Sequence, residues 1–293
     1  MSSSRSELNT IDFSSLRLIG REEESDRLEE AYEGIVEPND SNAGSSSSSS
    51  SKSTTARDYL LIAGGLGCGK TQLVDSFRDT VIYSGGTFAS SKFDQLSSVR
   101  PYSALVNAIG NLCQILAQVS KEVKAKISHS LGSELSLLYT LVPSARIALQ
   151  QSDDIDNEEE EEDQPDNESP SQQIEFIDVK LMVRKLFQAV TMLGPLVLFL
   201  DDLQSCDASS IELINSVLQD EELHHFLFIG AYRDDEITQE HELHKLFRFQ
   251  EESCTMHIHD MSEQSVNRLV ADALRLDISA SLPLSKEIHR KTA

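Results

Sequence analysis

The sequence predicts an α/β fold, with a mostly parallel five-stranded sheet covered by helices on both faces in a three-layer αβα arrangement. Apolar runs of strand length alternate with helical segments along most of the chain, and this alternation is typical of parallel sheets with right-handed crossovers. The runs 196–200 and 226–231 are apolar throughout, which indicates strands buried on both faces. A further apolar run ends at Ala63 and leads through a glycine-rich turn into a helix.

The first part of the chain contains one helix between two polar segments. Residues 1–17 are polar and predict a loose N terminus, so the folded domain is expected to span 18–293. Apolar residues at helical spacing predict a helix over 21–36. Residues 37–57 contain an unbroken run of serines and predict a disordered linker, because such a composition buries too little apolar surface to offset the entropy of ordering it.

The remaining elements follow from the same periodicities. Five strands are predicted, and they lie at 58–63, 86–93, 196–200, 226–233 and 255–259. Apolar residues at three- and four-residue steps predict the helices, at 69–80, 101–119, 121–128, 131–141, 174–193, 208–219, 240–250 and 262–274. Pro101 stands at an expected helix start, where proline is favoured. Pro143 marks the expected end of the preceding helical stretch.

An acidic tract interrupts this pattern at residues 151–173. Eleven acidic side chains and no basic one lie between 153 and 168. We interpret the tract as a disordered, solvated insertion, and a binding tail for a basic partner is the alternative.

Composition excludes several classes of function. The net charge is −24, and the chain without its acidic tract is still acidic, which argues against non-specific binding of nucleic acid. Apolar runs fall short of the roughly 20 residues that span a bilayer, and residues 1–5 lack the apolar core of a signal peptide. The four cysteines are scattered and form no C-x-x-C, which indicates reduced thiols. We therefore expect a soluble, cytoplasmic protein without nucleic-acid or membrane partners.

The glycine-rich turn carries the strongest chemical signal. Residues 64–71 read G-G-L-G-C-G-K-T, which is the G-x-x-x-x-G-K-[ST] spacing of a P-loop between a strand and a helix. The glycines allow backbone N–H groups to approach phosphate oxygens, and the helix start adds its positive dipole end. Lys70 is expected to reach the β- and γ-phosphates, and the Thr71 hydroxyl to bind Mg²⁺. The sequence thus predicts a P-loop NTPase whose nucleotide-binding residues are Gly64, Gly65, Leu66, Gly67, Cys68, Gly69, Lys70, Thr71 and Gln72.

Three charged residues follow two of the buried strands. Asp201 and Asp202 end one strand and Arg233 ends the next, and ligands of parallel sheets bind at these carboxyl ends. Asp201 is expected to hold Mg²⁺ opposite Thr71. Asp202 is expected to orient or deprotonate the attacking water, and Arg233 to contact the γ-phosphate. A capped helix start for the acids and a surface salt bridge for Arg233 are the alternatives.

Cysteine and histidine give weaker signals. Cys68 lies at a helix N terminus, where a thiol pKa can fall and favour oxidation; the alternative is a small residue that fits the loop. The pairs His241 with His244, and His257 with His259, lack the third and fourth ligands of a zinc site. We interpret these histidines as surface or packing residues.

Taken together, these blocks resemble the AAA-type, origin-recognition-like ATPase domain of the STAND class (signal-transduction ATPases with numerous domains). Residues 18–22 resemble its h-h-G-R-E motif, whose surroundings contact adenine in that family. The resemblance therefore implies ATP as the nucleotide, and Ile19, Gly20 and Arg21 as further nucleotide-binding residues. Residues 201–204 resemble its Walker B motif.

Other segments extend or limit the resemblance. Residues 229–234 are similar to its sensor-1 strand, and 86–105 to the segment found where this ATPase is fused to serine/threonine or histidine kinases in large signalling proteins. The family usually has Trp-Ala-Asp after Walker B, where this chain has Ser-Cys-Asp at 205–207. The chain ends at Ala293, before the family's G-N-P-F motif, so the helical lid and winged-helix regions are expected to be absent and the chain to be a fragment.

The resemblance implies an ATP- and Mg²⁺-dependent switch in signal transduction with slow hydrolysis, in which ATP orders the lid region. Its catalytic residues would be Asp202, Lys70 and Arg233, and Arg248 is a candidate for an arginine supplied in trans, with a plain surface arginine as the alternative. Other signalling proteins or kinase domains are the expected partners, and self-association is left open. A non-catalytic, nucleotide-stabilised scaffold is the second hypothesis. A small-molecule phosphotransferase is the third, although neither an acceptor pocket nor an arginine-rich lid is evident.

Overall fold

The computed structural model describes residues 18–36, 57–94, 101–149, 176–246, 249 and 251–292. The expected loose N terminus, the linker over 37–56 and the acidic insertion lie outside these residues. The described helices and strands are α1 (Glu22–Val36), β1 (Arg57–Ala63), α2 (Lys70–Tyr83), β2 (Thr87–Lys92), α3 (Ser103–Leu116), α4 (Lys121–Leu131), α5 (Glu134–Leu141), α6 (Pro143–Leu149), α7 (Phe176–Thr191), β3 (Leu196–Asp201), α8 (Ala208–Leu218), β4 (Phe226–Tyr232), β5 (Thr255–His257), α9 (Glu263–Leu274) and α10 (Ile278–Thr292).

The five strands form one parallel sheet in the order β2-β3-β4-β1-β5. Its register aligns the strand ends: Lys92 lies opposite Asp201, and Ala63 lies opposite both Tyr232 and His257. All five carboxyl ends therefore meet at one edge of the sheet, and the phosphate loop leaves β1 at that edge. The predicted parallel five-stranded sheet is confirmed.

Alternate residues of each strand pack on opposite faces of the sheet. Leu60 and Ile62 of β1 pack with α1 and α2 in one apolar core. Leu61 of β1 and Phe228 of β4 pack with α3 to α8 in the other. Every residue of β3 and β4 is buried, as the unbroken apolar runs predicted. The predicted helices on both faces are confirmed.

The prediction of a helix over 240–250 is wrong. The chain forms a short 3₁₀ turn at Glu242–Lys245 instead. The ring of His241 accepts a hydrogen bond from the Leu243 N–H at 3.2 Å and so caps this turn. Leu243 and Leu246 are both buried, and their three-residue spacing suits the 3₁₀ repeat. Arg248 lies outside the described residues.

Two further helices were not predicted. α5 ends at Leu141, near Pro143 as predicted, and Pro143 then begins α6, because its missing N–H costs nothing in a first turn. α10 contains Pro283 and is held by tertiary contacts. The Asn267 side chain of α9 donates to the Ile278 carbonyl at 3.0 Å and accepts from the Ser281 and Ser285 hydroxyls at 2.8 Å each.

Smaller differences from the predictions concern the ends of two strands. β1 already begins at Arg57, which pairs with Phe226, so the linker predicted to reach that residue ends earlier. β5 ends two residues before the predicted end of its strand. Among the described helices, none has both the length and the apolar character needed to cross a membrane.

An ion pair joins α7 to the segment that follows α8. Two guanidinium nitrogens of Arg184 donate to the carboxylate of Asp220, each at 2.8 Å, and the Gln188 amide donates at 2.9 Å. The Asp220 side chain is 1% exposed. Burial raises the pKa of Asp220, but the hydrogen bonds from Arg184, the Glu222 N–H and Gln188, with the charge of Arg184, together bring the pKa below its usual value.

We expect Asp220→Asn to lower the free energy of unfolding by about 1–3 kcal/mol at pH 7, because hydrogen bonds to a charged group are lost. Since the folded pKa is depressed, this stabilisation is present above the unfolded pKa of about 3.9 and is lost as pH falls through the folded pKa. Urea unfolding of both proteins across this pH range measures the difference. Glu221→Gln, at an exposed neighbour, is the control; a difference that stays constant with pH contradicts the assignment.

Candidate functional site

The loop between β1 and α2 has a backbone that only glycine fits at three positions. Gly67 and Gly69 have φ of 79° and 100°, in the left-handed region that side chains disfavour. At Gly64, a Cβ would stand 2.4 Å from the carbonyl oxygen of Ile258. The left-handed backbone at two glycines and the close packing at the third therefore fix the shape of the loop.

The outer surface of the loop is open. Apart from the adjacent residues of the chain, no described residue has an atom within 4 Å of a Cβ built at Gly65, Gly67 or Gly69. Gly69 is the N-cap of α2 and has no side chain to cap it. The N–H groups of the first helical turn are thus available to an anion, which the helix dipole also favours.

Lys70 is buried within this loop. Its ammonium donates to the carbonyls of Gly64 and Gly65 at 2.7 Å each and lies 3.7 Å from the sulfur of Cys68. These contacts use the three donors of the ammonium and hold a positive charge beside the open surface. Cys68 itself is buried, at 8% exposure.

Thr71, the residue after Lys70, contacts the end of β3, which is distant in sequence. The Thr71 hydroxyl donates to a carboxylate oxygen of Asp201, Oδ2, at 2.8 Å across 130 residues. The other oxygen of Asp201 accepts from the Asp202 N–H at 2.9 Å. A hydroxyl and a carboxylate are hard oxygen donors of the kind that Mg²⁺ takes, so this pair fits that ion.

Asp202 occupies an unusual backbone position. Its φ is 53°, left-handed for a residue with a side chain. Its carboxylate lies 2.7 Å from the Lys92 ammonium and 3.7 Å from the Arg233 guanidinium. Burial raises the pKa of Asp202, but hydrogen bonds from Lys92 and Gln204 and the charges of Lys92 and Arg233 bring it below its usual value. The carboxylate is therefore ionised and held from two sides.

Arg233 lies at the outer side of this group. Its guanidinium contacts Glu236 at 2.7 Å, and its backbone N–H donates to the Gln204 side chain at 3.2 Å. The hydrogen bond to Glu236 raises the pKa of Arg233. The structure thus brings Arg233 to the acidic pair, with one side of its fork already occupied.

Arg21 connects the N-terminal motif to the loop. Its guanidinium donates to the Cys68 carbonyl at 2.9 Å and to the His259 carbonyl, and it pairs with Glu24 at 3.0 Å. The adjacent Gly20 has φ of 70°, and a Cβ there would lie 2.3 Å from the Ser265 hydroxyl. The motif is therefore packed between the phosphate loop and α9.

A cavity of about 680 Å³ opens between this motif, the loop and the last two helices. Ile19, Arg21, Gly67, Cys68, Gly69 and Gln72 line one side, which is the side of the predicted nucleotide-binding residues. Apolar side chains of α9 and α10 line the other, among them Val270, Leu274, Leu284 and Ile288. Apolar walls beside a few polar groups are typical of small-molecule sites.

The structure brings most of the predicted site residues to one edge of the sheet. Leu66 is at the tip of the loop and is 75% exposed. Sequence reasoning missed Lys92 as a member of the site. Its position at the end of a predicted strand was the available signal, because every strand of a parallel sheet ends at the same edge.

Comparison with protein-family models identifies the class of domain. A family model described as the AAA ATPase domain matches residues 48–229. Hybrid signal transduction histidine kinase G of Dictyostelium discoideum is 26% identical over 174 residues, which cover 57% of this chain and 5% of that protein. This chain therefore corresponds to a small part of that relative.

Two solved structures match this chain with low TM-scores. The Walker-type ATPase PABY2304 of Pyrococcus abyssi has a TM-score of 0.45 and 12% identity, over 92% of this chain and 63% of that chain. The Pif1 helicase from Candida albicans has a TM-score of 0.28 and 13% identity, over 74% and 40%.

We expect Arg21→Lys to lower the free energy of unfolding by about 1–3 kcal/mol, because a single ammonium cannot reproduce the planar guanidinium, in which one nitrogen donates to two carbonyls while the other pairs with Glu24. Urea unfolding measures the loss. Arg27→Lys is the matched control, on the helix that begins directly after Arg21, since Arg27 is exposed and reaches the Thr255 carbonyl only at 3.5 Å. Equal losses in the two variants contradict a specific role for Arg21.

Proposed function

The chain belongs to the AAA ATPase domain family, and we propose that it binds ATP with Mg²⁺ and acts as a nucleotide-dependent switch with slow hydrolysis. One observation carries the proposal: the hydroxyl of Thr71 and the carboxylate of Asp201 meet at 2.8 Å beside an open glycine loop. The two oxygens are close enough for one cation to bind both, and they lie next to a helix N terminus that can bind an anion.

The triphosphate would lie on the loop between β1 and α2. Its oxygens would accept hydrogen bonds from the loop N–H groups and from Lys70, which exchanges a carbonyl partner for a phosphate. Thr71 and Asp201 would hold Mg²⁺, which supplies positive charge to the phosphate oxygens. The adenine would enter the cavity beside Ile19 and Arg21, where apolar walls suit a flat base.

Asp202 is the proposed partner of the attacking water. Its position supports that role, since Asp202 directly follows Asp201, the last residue of β3. Its lowered pKa makes it a weak base, so we propose that it orients the water more than it deprotonates it. Weak basicity supports slow turnover, which suits a switch better than a motor.

The proposed biological role is signal transduction, as in the STAND class. The support is the relative's name, which describes a hybrid signal transduction histidine kinase. We propose that this domain couples its nucleotide state to kinase domains or other signalling proteins, through order and disorder of the helices that line the cavity.

The non-catalytic scaffold is a second candidate with an observation in its favour. Asp202 is paired with Lys92 and lies within 3.7 Å of Arg233, which holds the acid that hydrolysis would use. In that case ATP stabilises the domain by binding to the folded state alone.

We expect Lys70→Ala to weaken ATP binding by about 10- to 150-fold, because charge-assisted hydrogen bonds worth about 1.5–3 kcal/mol are lost. Calorimetric titration with and without Mg²⁺, using ATP, GTP and ADP, measures the effect. The exposed Lys126→Ala is the control. A native protein that gives no binding heat with ATP over a range of temperatures contradicts the proposal.

We expect Asp202→Asn to reduce multiple-turnover phosphate release by about 100-fold or more while ATP affinity stays within about threefold. Asp235→Asn, at an exposed aspartate elsewhere in the sequence, is expected to change neither quantity. If the native protein binds ATP but releases no phosphate over many hours, the scaffold function is correct and the switch with hydrolysis is not.

A further inference from the structure

We propose that Lys92 is a γ-phosphate ligand of this site and sets its preference for ATP over ADP. The inference rests on the proposed function, since it requires ATP on the loop between β1 and α2. It assigns a role in nucleotide specificity to a residue that lies outside both the P-loop and the Asp201-Asp202 pair.

The sheet register places Lys92 at the site. Lys92 is the last residue of β2, and the parallel ladder from Thr87 onward aligns it with Asp201. The backbone of Lys92 is therefore positioned by the same sheet edge that positions the acidic pair. Its four-carbon side chain is 60% exposed and extends from that edge.

The contacts of the ammonium define where it acts. It lies 2.7 Å from Asp202 Oδ2 and 3.7 Å from Asp201 Oδ2. The second of these oxygens is also the acceptor of the Thr71 hydroxyl. Asp201 Oδ2 thus lies between the Lys92 ammonium and the position proposed for Mg²⁺. The γ-phosphate of a bound triphosphate would lie next to that Mg²⁺ position, and so near Lys92.

Charge balance supports a change of partner. A divalent cation bound to Asp201 would repel the Lys92 ammonium, and it would neutralise the Asp201 carboxylate that attracts this ammonium. An anionic phosphate oxygen beside Asp202 restores the balance. A lysine ammonium has three donors on a flexible stem, so Lys92 can keep Asp202 and donate to that oxygen as well.

The other two cations of the site are less free to do this. Lys70 is buried and donates to two loop carbonyls. Arg233 is 24% exposed and bonded to Glu236 at 2.7 Å, and its described contact with the acidic pair is to Asp202 at 3.7 Å. Lys92 is more exposed than either of them and contacts both acids.

The test compares Lys92→Met with the native protein. Calorimetry in Mg²⁺ measures the affinity for ADP and for the β,γ-imido analogue of ATP, which retains a γ-phosphate. We expect ADP affinity to stay within about threefold, and affinity for the analogue to fall at least about 10-fold, as for one lost charge-assisted hydrogen bond. Lys92→Arg is expected to retain most of the preference, because it retains the charge.

Lys245→Met is the matched control, since Lys245 is also exposed and also lies 2.7 Å from a carboxylate, that of Glu242. Circular dichroism checks that each variant folds. An unchanged ratio of the two affinities in Lys92→Met overturns the proposal, whether or not ATP turnover rises. A native protein that binds neither nucleotide overturns the proposed function together with this inference, whereas a native protein that binds both, with a ratio that Lys92 does not affect, overturns this inference alone.

Discussion

The site depends on one hydrogen bond, between the Thr71 hydroxyl and the Asp201 carboxylate at 2.8 Å. It joins the first turn of α2 to the end of β3, although one strand, β4, lies between β1 and β3 in the sheet. The bond is possible because parallel strands in register bring their carboxyl ends to one edge. The glycine loop then places the N terminus of α2 above that edge. The sheet is thus what turns two distant segments into one set of oxygen donors.

Two buried carboxylates in sequence would be costly without compensation, since an unpaired buried charge costs several kcal/mol. The protein compensates Asp201 with the Thr71 hydroxyl and the Asp202 N–H, and compensates Asp202 with Lys92. Arg233 adds a more distant charge at 3.7 Å. Because Lys92 is mostly exposed, its ion pair can be exchanged at little cost in stability. The acidic pair is therefore held in place by partners that differ in how easily they are replaced.

The phosphate loop is also connected to the part of the chain that closes the cavity. Arg21 joins the loop carbonyl of Cys68 to the carbonyl of His259, which follows β5. α9 and α10 are held together by the polar contacts of Asn267, while their apolar side chains line the cavity. A ligand in this cavity would contact both the loop and these helices, so binding and the position of the helices are physically coupled.

The amino-acid sequence by itself determined the features that have local causes. Apolar runs such as 226–231 indicate buried strands wherever they lie, and the glycine and lysine spacing of 64–71 indicates a phosphate loop. The edge that gathers Thr71, Asp201 and Arg233 follows from strand–helix alternation, so most of the candidate site was predictable.

Only the tertiary structure decided the features that depend on register and packing between distant segments. The 3₁₀ turn at Glu242–Lys245 is shaped by burial of two leucines and by the His241 cap. α10 contains Pro283, and hydrogen bonds of its Ser281 and Ser285 to Asn267 hold it against α9. The pairing of Lys92 with Asp202 joins residues from β2 and the end of β3, and their periodicities are the same whichever strands are neighbours. Strand order is a property of the whole sheet, and it placed the cation beside the acid.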